Sequence, residues 1–417
     1  MLTDGPRRRP GRGQGTSEMT GNAMPLPLEG LRMVDVTENL AGPYCSMLLS
    51  DMGVETIKIE RPGSGDTTRG WGEPRETVSR AFSMVNRNKR SLVVNLKDER
   101  GRAIVRRLAA SADILLENHR PGYMDSIGLG YDALREQNPR LIYAQISGFG
   151  QTGPYHERGG LDLVAQAMSG LMSVTGEEAG EPNKAGFPVT DLGTGMFGAY
   201  GVLCALQARH LTGLGQRVDC SLFETGIAWS VWQTAKYLDT GEAPGRMGSA
   251  HPLSAPYQAF PTADGYIVIG AGSQRLYRRL CGVLGVEDLA QDQRFDTQPK
   301  RMRSYQALAT LLSERTRRQT SEQLLCALAE AGIPAGPIND VAQMLDDPQA
   351  RARQMVIETA HPVFGPLRTI GNPVKLSQTP WALRRLAPKL GEHADEILHG
   401  AGYGDAEIAA LREAGVI

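Results

Sequence analysis

The sequence predicts an α/β protein in which a large domain built on a parallel sheet precedes a smaller α+β domain. From Leu31 onward, short runs of β-branched and aliphatic residues alternate with helical stretches, which is typical of parallel strands joined by right-handed helical crossovers. After about Phe223 this alternation stops. At 417 residues the chain is also long enough for two domains.

Six strands are predicted in the large domain, over residues 31–36, 54–59, 92–96, 114–116, 141–146 and 217–222. Between them, helices are predicted from Pro43 to near Gly53, around Ile104, Val105 and Leu108, and over residues 193–211. In the smaller domain, Asp264-Gly265 is a hairpin signal that joins strands over residues 256–260 and 266–269. Trp229, Trp232 and Tyr237 lie at roughly helical spacing, which predicts core positions.

Composition and charge exclude several classes of protein. The formal net charge is −1, whereas a general nucleic-acid binder would carry a basic excess. No apolar run reaches the roughly 18 residues of a membrane span. Residues 1–27 contain an Arg-rich stretch and few apolar residues, so we expect a disordered tail. The five cysteines show no CxxC or His-paired spacing, so we expect free thiols, a cytoplasmic protein and no metal site.

Polar residues follow three predicted strands, at the carboxyl ends where parallel sheets bind their ligands. These loops span residues 39–43, 60–66 and 117–122, and two of them contain an arginine, Arg61 or Arg120. Each loop alone is also explained by turn chemistry, but together they predict a site for an anionic ligand. The sequence has no GxGxxG after the first strand and no GxxxxGK[ST], so nicotinamide and P-loop chemistry have no support.

Asp191 is a single carboxylate where an apolar run meets a helix rich in small residues. One interpretation is a helix N-cap that accepts a backbone N–H. The other is a nucleophile or general base at a helix N-terminus, where Gly193, Gly195 and Gly198 would let a ligand approach the backbone. Spacing alone does not choose between these interpretations.

Taken in order, the loops resemble the class III CoA-transferases, the family that contains formyl-CoA transferase and the carnitine CoA-transferase. The matching segments are residues 40–43, 57–66, 86–91, 117–118, 120–122, 164–166, 190–192, 212–216 and 390–393. The resemblance extends over essentially everything from Leu28 onward. It implies a Rossmann-like large domain over residues 28–222, a small domain over 223–335, a segment 336–417 that returns to the large domain, and an interlocked homodimer.

The resemblance places the family's catalytic aspartate on Asp191. That carboxylate attacks an acyl-CoA thioester, and the reaction passes through an anhydride and an aspartyl thioester without a metal. Coenzyme A is therefore a substrate, and a small carboxylic acid is the acceptor. The resemblance also implies which residues contact CoA. Leu40 and Ala41 border the molecule, Arg61 contacts a phosphate, and Leu161 and Asp162 approach the pantetheine. The residues implied for the nucleotide end are Val94, Asn95, Leu96, Lys97, Asn118, His119 and Arg120. Trp71 is implied to border the acyl pocket, and Arg69, Arg87 and His251 are candidates to pair with a distal carboxylate.

Departures from the family pattern bear on the substrate. Formyl-CoA transferase has an aromatic residue, an arginine and a tyrosine where this chain has His119, Ser126 and Leu161, and its longer glycine-rich loop has no counterpart here. Residues 248–260 look instead like the succinyl-CoA:glutarate type, so we expect a dicarboxylic acceptor, with succinyl-CoA as a candidate donor. One alternative is an α-methylacyl-CoA racemase, which needs a histidine where Leu161 stands. A non-catalytic CoA-binding protein on the same fold is another.

Overall fold

The structure is a computed structural model that describes residues 24–73, 75 and 78–417. Residues 1–23, which make up most of the predicted tail 1–27, lie outside the described residues. The described part of the chain begins close to the main sheet, because the Leu28 N–H donates to the Met52 carbonyl at 2.9 Å.

Six parallel strands form the main sheet: β1 (Arg32–Asp35), β2 (Glu55–Glu60), β3 (Lys89–Val93), β4 (Ile114–Glu117), β5 (Ile142–Ser147) and β6 (Arg217–Ser221). Their order is β3-β2-β1-β4-β5-β6, and every neighbouring pair is parallel. The predicted α/β class with a parallel sheet is therefore confirmed. Chain order reverses between β1 and β4, which opens a crevice at the carboxyl ends of these strands.

The third strand begins earlier than the predicted range 92–96. It starts at Lys89, whose side chain is fully buried and pairs with Asp35 at 3.1 Å. In sequence patterns a lysine usually indicates a solvent-exposed position. Because Lys89 is instead buried in an ion pair, the prediction placed the start of this strand too late.

The helices described up to residue 240 are α1 (Ala41–Asp51), α2 (Arg80–Val85), α3 (Glu99–Ala110), α4 (Tyr123–Ser126), α5 (Tyr131–Gln137), α6 (Asp162–Met168), α7 (Val189–Thr212), α8 (Leu222–Ala228) and α9 (Val231–Thr240). One core cluster joins β1, β3 and β4 to α3, and another joins the sheet to α1 and α7. By length and composition alone α7 could cross a membrane, but its residues Gly198, Val202 and Ala205 are buried inside the protein. It is therefore a core helix of this fold.

A second sheet is antiparallel and contains β7 (Tyr257–Pro261), β8 (Tyr266–Gly270) and β9 (Ala335–Pro337). The predicted hairpin at Asp264-Gly265 is confirmed. Helices α10 (Gln274–Leu284), α11 (Gln298–Arg303), α12 (Tyr305–Thr316) and α13 (Ser321–Glu330) surround this sheet. Phe260, Ile269 and Leu312 belong to a separate core cluster there.

The last part of the chain contains α14 (Val341–Asp346), α15 (Pro348–Ala352), a hairpin of β10 (Val356–His361) and β11 (Gly365–Ile370), and then α16 (Ala394–Gly400) and α17 (Asp405–Glu413). Leu398 and Val416 are buried in the same core cluster as β1 and α3. The chain thus ends against the main sheet, while the predicted domain boundaries stay predictions.

The prediction that Trp229, Trp232 and Tyr237 lie in the core of the chain is wrong. All three are exposed, and Trp232 keeps 57% of its surface accessible. Helical spacing shows that aromatic residues share one face of a helix, but it does not show whether the same chain covers that face.

Candidate active site

Asp191 lies in the first turn of α7, two residues after the helix begins at Val189. The residue that precedes the helix is Pro188, which makes no side-chain cap, so the N-cap interpretation of Asp191 is wrong. The glycines after Asp191 had suggested a later start, but tertiary packing overrides their low helix propensity. A carboxylate in a first turn is favoured by the positive end of the helix dipole.

Two glycines let α7 pack closely against α1. A Cβ on Gly195 would lie 2.7 Å from the Ala41 carbonyl oxygen, and one on Gly198 would lie 3.1 Å from the Cys45 Sγ. Because residues four apart share a helix face, Asp191 lies on this same face, one turn before Gly195. The N-terminus of α1, with Ala41, therefore packs against the face of α7 that contains Asp191, and the contact of Leu40 and Ala41 with CoA stays a prediction.

A second carboxylate, Asp162, holds the start of α7 in place. Its Oδ1 accepts hydrogen bonds from the Thr190 backbone N–H at 3.0 Å and from the Thr190 hydroxyl at 2.7 Å. Its Oδ2 accepts a hydrogen bond from the Gln166 side chain at 2.6 Å. Asp162 thus satisfies a backbone donor that the first turn of α7 would otherwise leave unpaired.

Burial raises the pKa of Asp191 to about 7, and the negative charge of Asp162 contributes to this rise. The Asp191 carboxylate has no hydrogen-bond partner among the described residues that would oppose the shift. At neutral pH a large fraction of Asp191 is ionised, and its carboxylate is more basic than that of an exposed aspartate. Both properties suit a nucleophile that must form and later break an acyl bond.

A cavity of about 690 Å³ opens at the carboxyl ends of β1 to β4, in the crevice where the strand order reverses. The sequence-predicted residues that line it are Arg61, Val94, Asn95, Leu96, Lys97, Asn118, His119 and Arg120. The structure therefore brings together all the residues that the resemblance implied for the phosphate and nucleotide end of CoA. Asn39, which also lines the cavity, directly precedes Leu40 and Ala41 in the chain.

Arg61 stands at the mouth of this cavity with 49% of its side chain exposed. Its Nε donates to the Ser64 hydroxyl at 2.9 Å, one Nη donates to the Thr67 hydroxyl at 3.2 Å, and the other lies 3.4 Å from a Glu38 carboxylate oxygen. The neighbouring Glu60 pairs with Arg69 instead. Arg61 is thus oriented by three groups and still has surface available for a phosphate.

Asn118 and His119 form the wall that follows β4. The Asn118 side chain accepts the Glu38 N–H at 2.9 Å and donates to the Glu38 carbonyl at 2.7 Å, which joins the loops after β1 and β4. Burial lowers the pKa of His119, so its imidazole is neutral at physiological pH. Its Nε2 is buried, so the imidazole forms part of the packed wall of the cavity.

Seven residues that line the cavity were not among the predicted site residues: Val36, Glu38, Asn39, Ile59, Glu60, Pro62 and Tyr123. Asn39, Glu60 and Pro62 lie in the strand-end loops that the sequence predicted, and Glu38 precedes the first of these loops, so the rule that ligands bind at the carboxyl ends of strands could have identified them. Tyr123 packs its ring against the His119 imidazole with 4.9 Å between ring centroids. No sequence pattern marked that contact.

Two arginines proposed for the acyl pocket are engaged in buried ion pairs. Arg69 binds both oxygens of Glu60 at 2.6 and 2.7 Å, and Arg87 binds both oxygens of Asp51 at 2.9 and 2.6 Å. Such pairs are costly to break, because a buried charge would remain uncompensated. The geometry therefore assigns both arginines a structural role in place of the predicted substrate contact.

The other acyl-pocket candidates lie in different parts of the fold. His251 stacks on Tyr257 with 5.0 Å between ring centroids, and its Nδ1 accepts the Leu253 N–H at 3.1 Å. Trp71 follows a 3₁₀ turn over Thr67–Gly70 and is exposed. Leu161 directly precedes α6 and exposes 70% of its surface, so its role along the pantetheine stays a prediction.

Several known proteins are similar in sequence to this chain. Residues 28–394 match a family model described as CoA-transferase family III. The chain is 40% identical over 419 residues to the succinyl-CoA:glutarate CoA-transferase of Mus musculus, and the match covers 98% of this chain and 96% of that protein. It is 42% identical over 352 residues to the acetyl-CoA:oxalate CoA-transferase of Acetobacter aceti, with 84% of this chain and 89% of that protein covered.

A crystal structure of a CaiB/BaiF family protein from Brucella suis has the same fold as this chain. The TM-score is 0.81 at 40% sequence identity, and the match covers 91% of this chain and 100% of that chain. Three findings support the same family assignment: the ordered sequence motifs, the parallel sheet with a cavity where its strand order reverses, and the similarity over nearly the full length of the chain. The chain belongs to CoA-transferase family III, an assignment that its sequence motifs had indicated.

Proposed function

We propose that this CoA-transferase moves CoA from succinyl-CoA to a dicarboxylic acid, and that Asp191 carries the covalent intermediates. The observation that carries the proposal is the position of Asp191, in the first turn of α7 and one turn before Gly195, which packs against Ala41 at the α1 N-terminus. Its raised pKa supports a nucleophilic role near neutral pH.

In the proposed mechanism, four steps transfer CoA from the donor acyl group to the acceptor acid, with no change of oxidation state and no net uptake or release of protons. The ionised Asp191 attacks the thioester carbon, the C–S bond breaks, and a mixed anhydride and CoA thiolate form. The thiolate then attacks the Asp191 carbonyl of the anhydride, which expels the donor carboxylate and leaves an aspartyl thioester. The acceptor carboxylate attacks this thioester to form a second anhydride, and the released thiolate attacks the acceptor carbonyl and frees Asp191.

Support for a dicarboxylic acceptor comes from the relatives, whose names specify glutarate in one case and oxalate in the other. The test is to offer succinyl-CoA with a panel of di- and monocarboxylic acids of matched length and to quantify each product thioester by chromatography. We expect transfer to dicarboxylates, with a clear preference over monocarboxylates of equal carbon number. Transfer to monocarboxylates alone would refute this acceptor class.

The racemase alternative predicts exchange of the proton next to the thioester carbonyl. Leu161 has no group that can transfer a proton, so we expect no deuterium at that carbon after incubation with 2-methylacyl-CoA in heavy water. Deuterium incorporation by the wild type, absent in Asp191→Asn, would support the racemase instead.

We also propose that the enzyme is an interlocked homodimer. Large apolar side chains on and beside α7 and α9 are exposed in the single chain, and they form what we call the apolar band: Phe187, Tyr200, Val231, Trp232 and Leu238. Exposed apolar residues in such number are typical of surfaces that a partner covers, and a second copy is the partner that the family resemblance implies. The cytoplasmic location and the absence of metal, membrane and nucleic-acid partners stay predictions.

A further inference from the structure

Glu60, the last residue of β2, is a buried carboxylate in the wall of the CoA cavity. Its Oε2 accepts hydrogen bonds from the Asp66 N–H at 3.0 Å and from Arg69 Nε at 2.6 Å. Its Oε1 accepts hydrogen bonds from Arg69 Nη2 at 2.7 Å and from the Ser91 hydroxyl at 2.6 Å. The carboxylate is therefore held by four donors from three segments of the chain.

The Glu60 contacts close the loop that carries Arg61. Because the Asp66 N–H returns to the Glu60 side chain, residues 61–65 form a loop whose two ends are tied together. Ser64 and Thr67, which orient the Arg61 guanidinium, lie in or directly beside this closed loop. The direction in which Arg61 faces the cavity thus depends on the Glu60 carboxylate.

The Glu60–Arg69 ion pair is also hydrogen-bonded, directly and through Ser91, to the C-terminal part of the chain. Arg69 Nη1 donates to the Pro388 carbonyl at 3.1 Å, and the Gly391 N–H donates to the Ser91 hydroxyl at 2.9 Å. Packing is tight here, because a Cβ on Gly65 would lie 2.7 Å from both Glu60 Oε2 and Leu390 Cδ1. Residues 388–391 therefore pack against the loop of residues 61–65 that contains Arg61 and hold it in place.

The Arg69 charge matters for the cavity itself. Arg69 is buried, and its guanidinium carbon lies 3.6 Å from the centre of the Phe82 ring, so solvent does little to screen it. Without Arg69, an unpaired Glu60 would place a negative charge in the wall that faces the phosphates of CoA. Loss of the pair would thus both release the Arg61 loop and repel the ligand.

We propose that the Glu60–Arg69 pair is a positioning device that links the docking of residues 388–391 to the placement of Arg61 against a CoA phosphate. This inference rests on the proposed contact between Arg61 and phosphate. It makes Arg69 a positioning residue that acts through Glu60 and Arg61, and it makes the C-terminal segment necessary for full affinity toward CoA.

The test is the phosphate preference of the enzyme, defined as the ratio of kcat/KM for succinyl-CoA to kcat/KM for succinyl-pantetheine, which has no phosphate. We expect Arg61→Met to lower this ratio by about tenfold, as for the loss of one charge-assisted hydrogen bond. Arg69→Met should lower it by a similar factor, mainly through KM for succinyl-CoA. Arg69→Lys should recover part of the preference, because it retains the charge beside Glu60.

Arg87→Met is the matched control. Arg87 also forms a buried bidentate ion pair and also contacts the C-terminal part of the chain, through the Ile370 carbonyl, but it does not line the CoA cavity. It should destabilise the fold as Arg69→Met does and leave the phosphate preference unchanged. An equal loss of preference in both variants would show a general effect of destabilisation and would overturn the proposal.

The remaining outcomes are also decisive. If Arg69→Met does not fold, Ser91→Ala is a milder variant that removes one Glu60 hydrogen bond and the hydrogen bond to Gly391. An unchanged ratio in Ser91→Ala would then refute the coupling. A normal ratio in Arg61→Met would refute the proposed phosphate contact and the coupling with it. No transfer from either donor by the wild type would instead refute the proposed donor.

Discussion

Asp162 accepts two hydrogen bonds from Thr190, one from its backbone N–H at 3.0 Å and one from its hydroxyl at 2.7 Å. Because Thr190 directly precedes Asp191, this contact fixes the start of α7 and brings two carboxylates close together. The same side chain therefore positions the start of α7 and contributes to the raised pKa of Asp191.

The pH dependence of transfer should follow the ionisation of Asp191. Only the carboxylate form attacks, and burial and Asp162 raise the Asp191 pKa to about 7, so kcat/KM should increase with pH and level off above neutrality. Asp162→Asn removes the charge and retains an oxygen for Thr190, so the acid limb of the profile should move to lower pH. A limb that stays in place would show that Asp162 does not affect the acidity of Asp191.

Asp191→Asn should abolish transfer and leave the affinity for CoA within about tenfold, since Asp191 does not line the cavity that we propose binds CoA. Calorimetry with CoA measures the binding. In the wild type, incubation with acyl-CoA followed by hydroxylamine should modify Asp191, and peptide mass spectrometry detects this. An unmodified Asp191 during turnover would contradict the covalent mechanism.

The same substitution should change the stability of the fold with pH. An unfolded aspartate titrates at about pH 4, whereas folded Asp191 titrates at about 7, so the folded wild type binds more protons between these values. Stability from this residue is therefore present at low pH and is lost as the pH rises toward 7. Asp191→Asn should melt at a higher temperature than the wild type at pH 8, and the difference should shrink at pH 4.

The close approach of α7 and α1 should matter for catalysis. Gly195→Ala would place a methyl group 2.7 Å from the Ala41 carbonyl oxygen, so we expect a cost of about 1–3 kcal/mol and a large fall in kcat as Asp191 shifts. Gly282→Ala in α10 is the control, because no atom lies within 4 Å of its Cβ. The control should raise the stability by about 0.4–1 kcal/mol and leave kcat unchanged. Denaturant titration and steady-state kinetics measure both effects.

The apolar band should control the oligomeric state. Trp232→Asp and Leu238→Asp place charges on a face that we propose is covered by a second copy, so light scattering should detect monomer or unfolded chain. Tyr266→Asp alters an equally exposed aromatic residue on β8, outside the band, and should leave the dimer intact. A wild type that is monomeric at micromolar concentration would contradict the dimer.

Sequence by itself determined the fold class, the family and the cavity residues. Alternating strands and helices predicted the parallel sheet, and the loops after its strands already contained Arg61, Asn118 and His119, because neighbours at the edge of such a sheet come from predictable points in the sequence. The motif around Asp191 singled this residue out as a candidate nucleophile, whereas spacing alone did not choose between a nucleophile and a helix cap.

Only the tertiary structure decided what charged and aromatic side chains do once they are folded. Arg69 and Arg87 resemble ligand contacts in sequence, yet each pairs with a buried carboxylate, Glu60 or Asp51. Trp232 resembles a core residue, yet the chain does not cover it. Likewise the acidity of Asp191 depends on Asp162, 29 residues earlier in the chain. The two ion pairs join residues 9 and 36 positions apart, so local composition and spacing do not identify the partners, whereas packing brings each pair within hydrogen-bond distance.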